Sequence, residues 1–273
     1  MSARKHHGRI VDKEIVIRAT PARVYSAFAD PRAIARWFVD AAEGVAKPGE
    51  LMTWIFRDMN FRLPVPILEA KPNSEFVTGG EIPGRLPALM EVLIRPHGAD
   101  AGSTTVRLVN SGFADGAPWD EEYQGVDSGW TMALATLKHS LEHHPDQDRT
   151  HVMAMQPAAV DMGRLRALYT TAAGLQSWLG DDVRIDGGKL VVGGSYELRS
   201  PGLGPMSGRV LADSGREVLL EWRERSAVLG LKAFSAGPAR MICLDFSTWA
   251  PHPPFLTKAA LEGALSNLAR VLT

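Results

Sequence analysis

The residues best suited to metal chemistry lie near residue 140, in the run His139-Ser-Leu-Glu142-His143. This H-x-x-E-H spacing is the inverted zinc-protease motif, and a helix would place His139 and His143 on one face, as zinc ligation requires. However, Pro145 follows closely, and the motif lies beside the apolar stripe of its helix rather than within it. We therefore interpret the motif as a solvated cationic helix end, and we predict no metal site.

Acid–base chemistry has few candidates. Asp120, Glu121 and Glu122 resemble paired catalytic carboxylates, but they fall in the first turn of a predicted helix, where acidic residues complement the macrodipole. Tyr123 and Glu91 are the two candidates for a general acid or base inside a cavity. The chain has neither a Gly-x-Ser-x-Gly motif nor a Gly-x-Gly-x-x-Gly turn that opens a helix, so the sequence does not support a dinucleotide site.

Two helix-start signals, ten residues apart, determine the structure near the N-terminus. In the stretch ATPARVYSAFADPRAIARWF, Thr20 and Asp30 are N-cap residues, and Pro21 and Pro31 occupy the first helical positions after them. Because the residue before a proline is disfavoured in the α region, the first helix must end at Asp30. We therefore predict two short helices with a bend between them.

Short strands and one long helix are predicted for the rest of the first half. Runs rich in Val, Ile and aromatic residues, separated by turns that contain Pro or Gly, indicate antiparallel strands. The predicted strands cover residues 10–19, 50–57, 65–70, 75–78, 88–95 and 104–110. Apolar residues at spacings of three and four over residues 117–145 predict a long amphipathic helix. Gly125 and Gly129 leave open whether this is one helix or two pieces.

The pattern repeats after 141 residues, since residues 164–179 match residues 23–38 at their apolar positions, with Trp178 in the place of Trp37. A period of this size indicates a duplicated domain rather than a solenoid. We predict a first domain over residues 1–145, a polar linker over residues 146–157 and a second domain over residues 158–273. Because the second copy lacks both helix-start prolines, we expect it to be the more divergent one.

The stretch ATPARVYSAFADPRAIARWF, together with LVNSGF and GWTMALATLKHSLE in residues 108–142, resembles the bacterial family named after the activator of heat-shock-protein-90 ATPase homologue. This family is part of the START-like, or SRPBCC, superfamily, which also contains polyketide cyclases and lipid-transfer domains. The resemblance implies an α+β helix-grip (START-like) fold, in which a curved antiparallel sheet surrounds a long C-terminal helix. It covers residues 14–142 specifically and residues 161–273 weakly, so we expect the fold to be duplicated in tandem.

The resemblance also implies a cavity between the sheet and the long helix. The two short helices would keep the sheet and the long helix apart at one end of this cavity. Ligand sites of this kind are mostly apolar, with a few polar groups. The side chains that could line the cavity are Trp37, Phe38, Trp54, Phe56, Phe61, Met90, Tyr123 and Trp130. Plain core packing is the alternative for each of them. Arg57, Glu91 and Arg107 are strand charges that could orient a ligand, or else lie on the solvated outer face.

Three functions fit such a cavity, and their ranking rests on fold analogy. The first, which we favour, is non-catalytic binding of a small hydrophobic molecule. The second is a cyclase- or hydrolase-type enzyme that acts in the same cavity. The third is a chaperone-interacting module, which the family name suggests. No cofactor is predicted.

Composition limits the partners and the compartment. The formal net charge is −1 and no basic run is interleaved with aromatic residues, which argues against nucleic acid as a partner. Apolar runs are too short for a membrane span, and the N-terminus has no apolar signal segment. The single cysteine, Cys243, fits a buried strand position and a reducing cytoplasm. Because each sheet has edges that need cover, we expect either pairing of the two domains or a homodimer.

Overall fold

The computed structural model describes residues 5–81, 86–98, 100–236, 239–250 and 257–272. The chain separates into two compact units, Met1–Asp148 and Arg149–Thr273, which we call the first and the second domain. Within the described residues, each domain contains one seven-stranded antiparallel sheet and three α-helices. No helix in this part of the chain has the length and apolar character needed to cross a bilayer.

The first domain has the predicted helix-grip architecture. In chain order its elements are β1 (Arg9–Ile17), α1 (Pro21–Ala29), α2 (Pro31–Ala35), β2 (Ala41–Gly44), β3 (Leu51–Phe56), β4 (Phe61–Lys71), β5 (Glu75–Gly80), β6 (Ala88–His97), β7 (Asp100–Phe113) and α3 (Ala117–His143). The strands lie in the order β1-β7-β6-β5-β4-β3-β2. Helix α3 contributes Trp130, Leu134 and Leu137 to the core that it shares with the sheet. Burial of each leucine contributes about 2 kcal/mol to stability.

The bend between α1 and α2 is fixed by side-chain hydrogen bonds. Asp30 is the N-cap of α2, and its Oδ1 accepts hydrogen bonds from the backbone N–H groups of Arg32 and Ala33 at 2.7 and 3.0 Å. After α2, the indole N–H of Trp37 donates back to the carbonyl of Ala27 at 2.9 Å, so that it joins the two sides of the bend. The predicted pair of short helices is confirmed.

The second domain repeats the same plan. Its elements are β8 (Thr150–Ala158), α4 (Met162–Thr170), α5 (Ala172–Trp178), β9 (Asp181–Ile185), β10 (Ser195–Ser200), β11 (Gly204–Asp213), β12 (Val218–Trp222), β13 (Ala227–Ala236), β14 (Ala239–Thr248) and α6 (Lys258–Leu272), with short 3₁₀ turns at Asp186–Gly188 and Arg223–Arg225. The strand order β8-β14-β13-β12-β11-β10-β9 is that of the first domain with each strand replaced by its counterpart. The predicted tandem duplication of the fold is confirmed.

The second domain keeps the bend although it has no proline there. Thr171 caps α5, and its Oγ1 accepts a hydrogen bond from the N–H of Gly174 at 2.9 Å. The indole N–H of Trp178 donates to the carbonyl of Leu168 at 3.0 Å. A Cβ atom on Gly174 would lie 2.2 Å from the carbonyl oxygen of Ala167, so the two helices approach too closely there for a side chain. Caps and the tryptophan contact therefore fix the bend, and proline is dispensable.

The predicted linker over residues 146–157 is wrong for most of its length. Strand β8 spans Thr150–Ala158 and pairs with β14 from Thr150 opposite Thr248 to Ala158 opposite Arg240. Polar residues such as His151 interrupt the apolar alternation of this strand, which therefore gave no clear signal in the sequence. The division between the two units falls after Asp148.

The long helix of the first domain is one element rather than two pieces. Helix α3 runs without interruption over Ala117–His143, and both Gly125 and Gly129 lie within it. A Cβ atom on either glycine would meet no other atom within 4 Å. The two glycines therefore weaken the helix by their intrinsic cost of about 1 kcal/mol each, but they do not break it.

Candidate functional site

Five of the predicted cavity residues form one contiguous group of rings, which we call the aromatic cluster: Trp37, Phe38, Trp54, Phe56 and Trp130. Phe38 is its centre. The ring of Phe38 stacks on Trp37 and Trp130 with centroid distances of 5.1 and 5.3 Å. It meets Trp54 and Phe56 edge-on at 5.3 and 5.8 Å. Both arrangements are favoured by aromatic quadrupoles.

Three separate elements bring these rings together. Trp37 and Phe38 follow directly after α2, so the bend determines where they lie. Trp54 and Phe56 alternate on β3, which places both on the face of the sheet that contributes to the core. Trp130 comes from α3. The aromatic cluster thus lies where the short helices, the sheet and the long helix meet.

The polar atoms of the aromatic cluster are its three indole N–H groups. Trp37 donates across the bend, as described above, and Trp130 donates to Oδ1 of Asn110 at 3.1 Å. Trp54 is only 4% exposed, and its Nε1 has no hydrogen-bond partner among the residues that the structure describes. Because a buried donor without a partner is costly, this N–H is the group in the cluster best placed to bind an acceptor on a ligand.

The other three predicted cavity residues lie outside the aromatic cluster. Phe61 is 47% exposed, and its ring stacks on Phe56 at 6.1 Å, so that it borders the cluster on the solvent side. Met90 is buried in the same core on β6. Tyr123 packs edge-on against Phe113 at 5.6 Å, and its hydroxyl donates to the backbone carbonyl of Ile10 at 3.2 Å.

The charged strand residues face away from the core. Glu91 lies between Met90 and Val92, both of which belong to the core, so the alternation of β6 places Glu91 on the opposite face of the sheet. Arg107 is exposed and forms a two-pronged ion pair with Asp12, at 2.9 and 2.5 Å. The hydrogen bond from Arg107 lowers the pKa of the Asp12 carboxyl. Neither residue contributes charge to the aromatic cluster.

The H-x-x-E-H motif does not form a metal centre in the described residues. The rings of His139 and His143 lie 5.0 Å apart, but Glu142 forms ion pairs with Arg18 and Lys138 at 3.2 and 3.5 Å. Burial and the neighbouring histidines lower the pKa of His139 to about 3. The prediction of an exposed helix end is therefore wrong for His139, which is 6% exposed, and correct for the exposed His143.

The second domain fills the corresponding space with smaller, fully packed side chains. The counterpart of Phe38 is Leu179, which is 1% exposed. The core-facing residues of β10 are Tyr196 and Leu198, and the helix residue that matches Trp130 is Leu261; all three are buried. The hydroxyl of Tyr196 donates to the carbonyl of Glu221 at 2.6 Å. A cluster of stacked rings with a half-buried centre is thus described only in the first domain.

Comparison with protein families identifies the first domain. The family described as "Activator of Hsp90 ATPase homolog 1-like protein" matches residues 18–142. The first domain is similar to this family over most of its length. The match begins just before α1 and ends within the last turn of α3, so the activator-homologue domain includes the bend and the whole aromatic cluster.

Solved structures resemble the chain at low identity. The Aha1 dimer from Colwellia psychrerythraea is 18% identical, covers 50% of this chain and 97% of its own, and gives a TM-score of 0.43. Protein MLL2253 from Mesorhizobium loti is 20% identical over 50% of this chain and 98% of its own, with a TM-score of 0.43. The di-domain ARO/CYC BexL is 13% identical over 96% of this chain and 92% of its own, with a TM-score of 0.46. Comparison with curated protein sequences gives no match.

Proposed function

We propose that the activator-homologue domain binds a small apolar molecule in its interior, against the aromatic cluster. The observation that carries this proposal is the partial burial of Phe38 together with its ring contacts. Its ring is half-buried and touches four other aromatic rings, whereas its counterpart Leu179 is fully packed. A flat apolar molecule that takes the place of this ring would regain the contacts with its four aromatic neighbours.

The polar groups near the aromatic cluster favour binding over catalysis. The N–H of Trp54, which has no hydrogen-bond partner among the residues that the structure describes, could orient a ligand, whereas the amide of Asn110 is already bonded to Trp130 and to the carbonyl of Leu89. The two acid–base candidates from the sequence do not point to the aromatic cluster. The Tyr123 hydroxyl is bonded to the backbone, and Glu91 lies on the other face of the sheet. General acid–base catalysis needs such a group within hydrogen-bond reach of the substrate.

The experiment is a titration with N-phenyl-1-naphthylamine, a neutral probe whose fluorescence rises in apolar surroundings. Phe38→Ala leaves an apolar cavity at the centre of the aromatic cluster, and a ligand that fills it regains the burial of a ring, so we expect about tenfold tighter binding. Leu179→Ala is the matched control, since it truncates the corresponding position of the second domain. We expect its affinity to equal that of the unaltered protein.

Two outcomes would overturn the proposal. One is the absence of saturable binding to both the unaltered protein and Phe38→Ala, with each shown by circular dichroism to be folded. The other is an equal gain of affinity in Leu179→Ala, which would show that any core cavity takes up the probe.

A further inference from the structure

A second recess of the first domain lies between the α1–α2 pair and the end of α3. Its volume is about 90 Å³. Ala27, Trp37 and Leu141 give it an apolar floor, and Arg23 and Arg36 supply positive charge at its rim. We call this recess the arginine cleft. It shares Trp37 with the proposed ligand site, and its charged residues lie outside the aromatic cluster.

A carboxylate of the protein itself occupies the rim of the arginine cleft. Asp146, in the loop after α3, places one oxygen against Nη2 of Arg23 and the other 3.5 Å from Nη1 of Arg36. Asp148 accepts a hydrogen bond from Nε of Arg36 at 3.0 Å. The structure thus shows two guanidinium groups arranged around one carboxylate, which is the geometry that arginine pairs use to bind such groups.

This internal carboxylate is held weakly. The side chains of Asp146 and Asp148 are 71% and 84% exposed, and both lie in a loop rather than in a helix or strand. Exposed ion pairs are screened by salt and shift an equilibrium by about fivefold at most. A carboxylate from solution can therefore compete with Asp146 for the two arginines.

The second domain shows that the fold does not need this arrangement. Arg164 is the counterpart of Arg23, and its guanidinium donates to the backbone carbonyl of Val271 in α6 at 2.6 Å, which ties the short helices to the terminal helix. The counterpart of Arg36 is Ser177. In the described residues, two arginines around one carboxylate therefore occur at this position in the first domain, whereas Arg164 of the second domain bonds to the terminal helix instead.

We propose that the arginine cleft binds a small monocarboxylate with an apolar body. The carboxylate takes the place of Asp146 between Arg23 and Arg36, and the apolar body lies on Trp37 and Leu141. The loop that carries Asp146 is then an internal competitor, which dissociates from the arginines when the ligand binds. The volume of the cleft limits the ligand to a short chain or a single ring.

The test is an NMR titration of the full chain with sodium hexanoate at low ionic strength, about 20 mM, where screening is weak. The Nε–H signal of Arg36 and the indole N–H signal of Trp37 report binding at the cleft. Asp146→Asn removes the competitor and should tighten binding about threefold to fivefold. Arg36→Gln should weaken it by at least about fivefold. Arg32→Gln, an exposed arginine of α2 outside the cleft, is the matched control and should leave the affinity unchanged.

Hexanol and inorganic phosphate complete the experiment. Hexanol has the same apolar chain without the charge, and we expect no saturable shift of the Arg36 signal with it. Equal binding of hexanol would overturn the role of the arginines, and tighter binding of phosphate than of hexanoate would overturn the carboxylate assignment. Failure of hexanoate to bind Asp146→Asn, or equal affinity of Arg36→Gln and Arg32→Gln, would overturn the proposal as a whole.

Discussion

Replacement of Trp54 by phenylalanine tests whether its indole N–H faces the proposed ligand. This donor is buried and has no partner in the described part of the chain. A buried donor without a partner costs about 1–3 kcal/mol, and a hydrogen bond contributes about 1 kcal/mol net. A ligand with a carbonyl group at the right place should therefore bind about fivefold more tightly than the same molecule without it.

Fluorenone and fluorene are a suitable pair of ligands, because they share a flat three-ring skeleton and differ in one carbonyl oxygen. Their dissociation constants are measured by displacement of N-phenyl-1-naphthylamine from the unaltered protein and from Trp54→Phe. Since hydration of the carbonyl is common to both proteins, the change in the preference for fluorenone isolates its contact with the indole. We expect that preference to fall about fivefold in Trp54→Phe.

Trp178→Phe is the matched control, since it removes an indole N–H from the second domain, where that group already donates to a backbone carbonyl. Its preference for fluorenone should equal that of the unaltered protein. A contact between the Trp54 indole and the ligand carbonyl is ruled out if Trp54→Phe keeps the full preference for fluorenone, or if Trp178→Phe loses as much of it.

Two further predictions concern stability, and both are measured by urea unfolding. Asp30→Ala and Thr171→Ala each remove a helix cap and should lower the free energy of unfolding by about 1 kcal/mol. Pro31→Ala should lower it by only about 0.5 kcal/mol. A larger cost for Pro31→Ala than for Asp30→Ala would contradict the assignment of the bend to its caps. The pKa of His139 is lowered from 6.5 to about 3 in the folded protein, so between these values the unfolded chain binds a proton that the folded one does not. Protonation of this histidine in the unfolded chain should therefore lower the free energy of unfolding by about 1 kcal/mol between about pH 6 and pH 5. His139→Gln should lose that part of the pH dependence. The same change in the free energy of unfolding with pH in both proteins would disprove the prediction.

The bend and the repeat could be predicted because the residue types that specify them are directly visible in the sequence. Asp30 and Pro31 specify a helix start within two residues, and the match of Trp37 with Trp178 needs only a comparison of the chain with itself. Strand β8 could not be predicted in the same way. Its pairing with β14 is specified by a partner about ninety residues away, and tertiary pairing of that kind overrides the weak local pattern of its own residues.

The candidate site was predictable in its residue types but not in its contacts. Strand alternation placed Trp54 and Phe56 on one face, as the structure has them. The sequence could not show that Phe38 would be the common neighbour of the other rings, because this depends on how the bend aims the residue after Trp37. It also could not separate Tyr123 from the aromatic cluster, since the spacing that puts Tyr123 on α3 says nothing of its bond to Ile10.

The two indole contacts that span the bends, from Trp37 to Ala27 and from Trp178 to Leu168, occupy equivalent places in both copies. Because each copy has its own indole contact across the bend, the interior residues of one copy can change without altering the topology of either. Leu179 and Phe38 illustrate this freedom, since the residue that follows the tryptophan is a buried leucine in one copy and a half-buried phenylalanine in the other. Duplication of such a scaffold therefore allows the interior residues of the two copies to diverge independently.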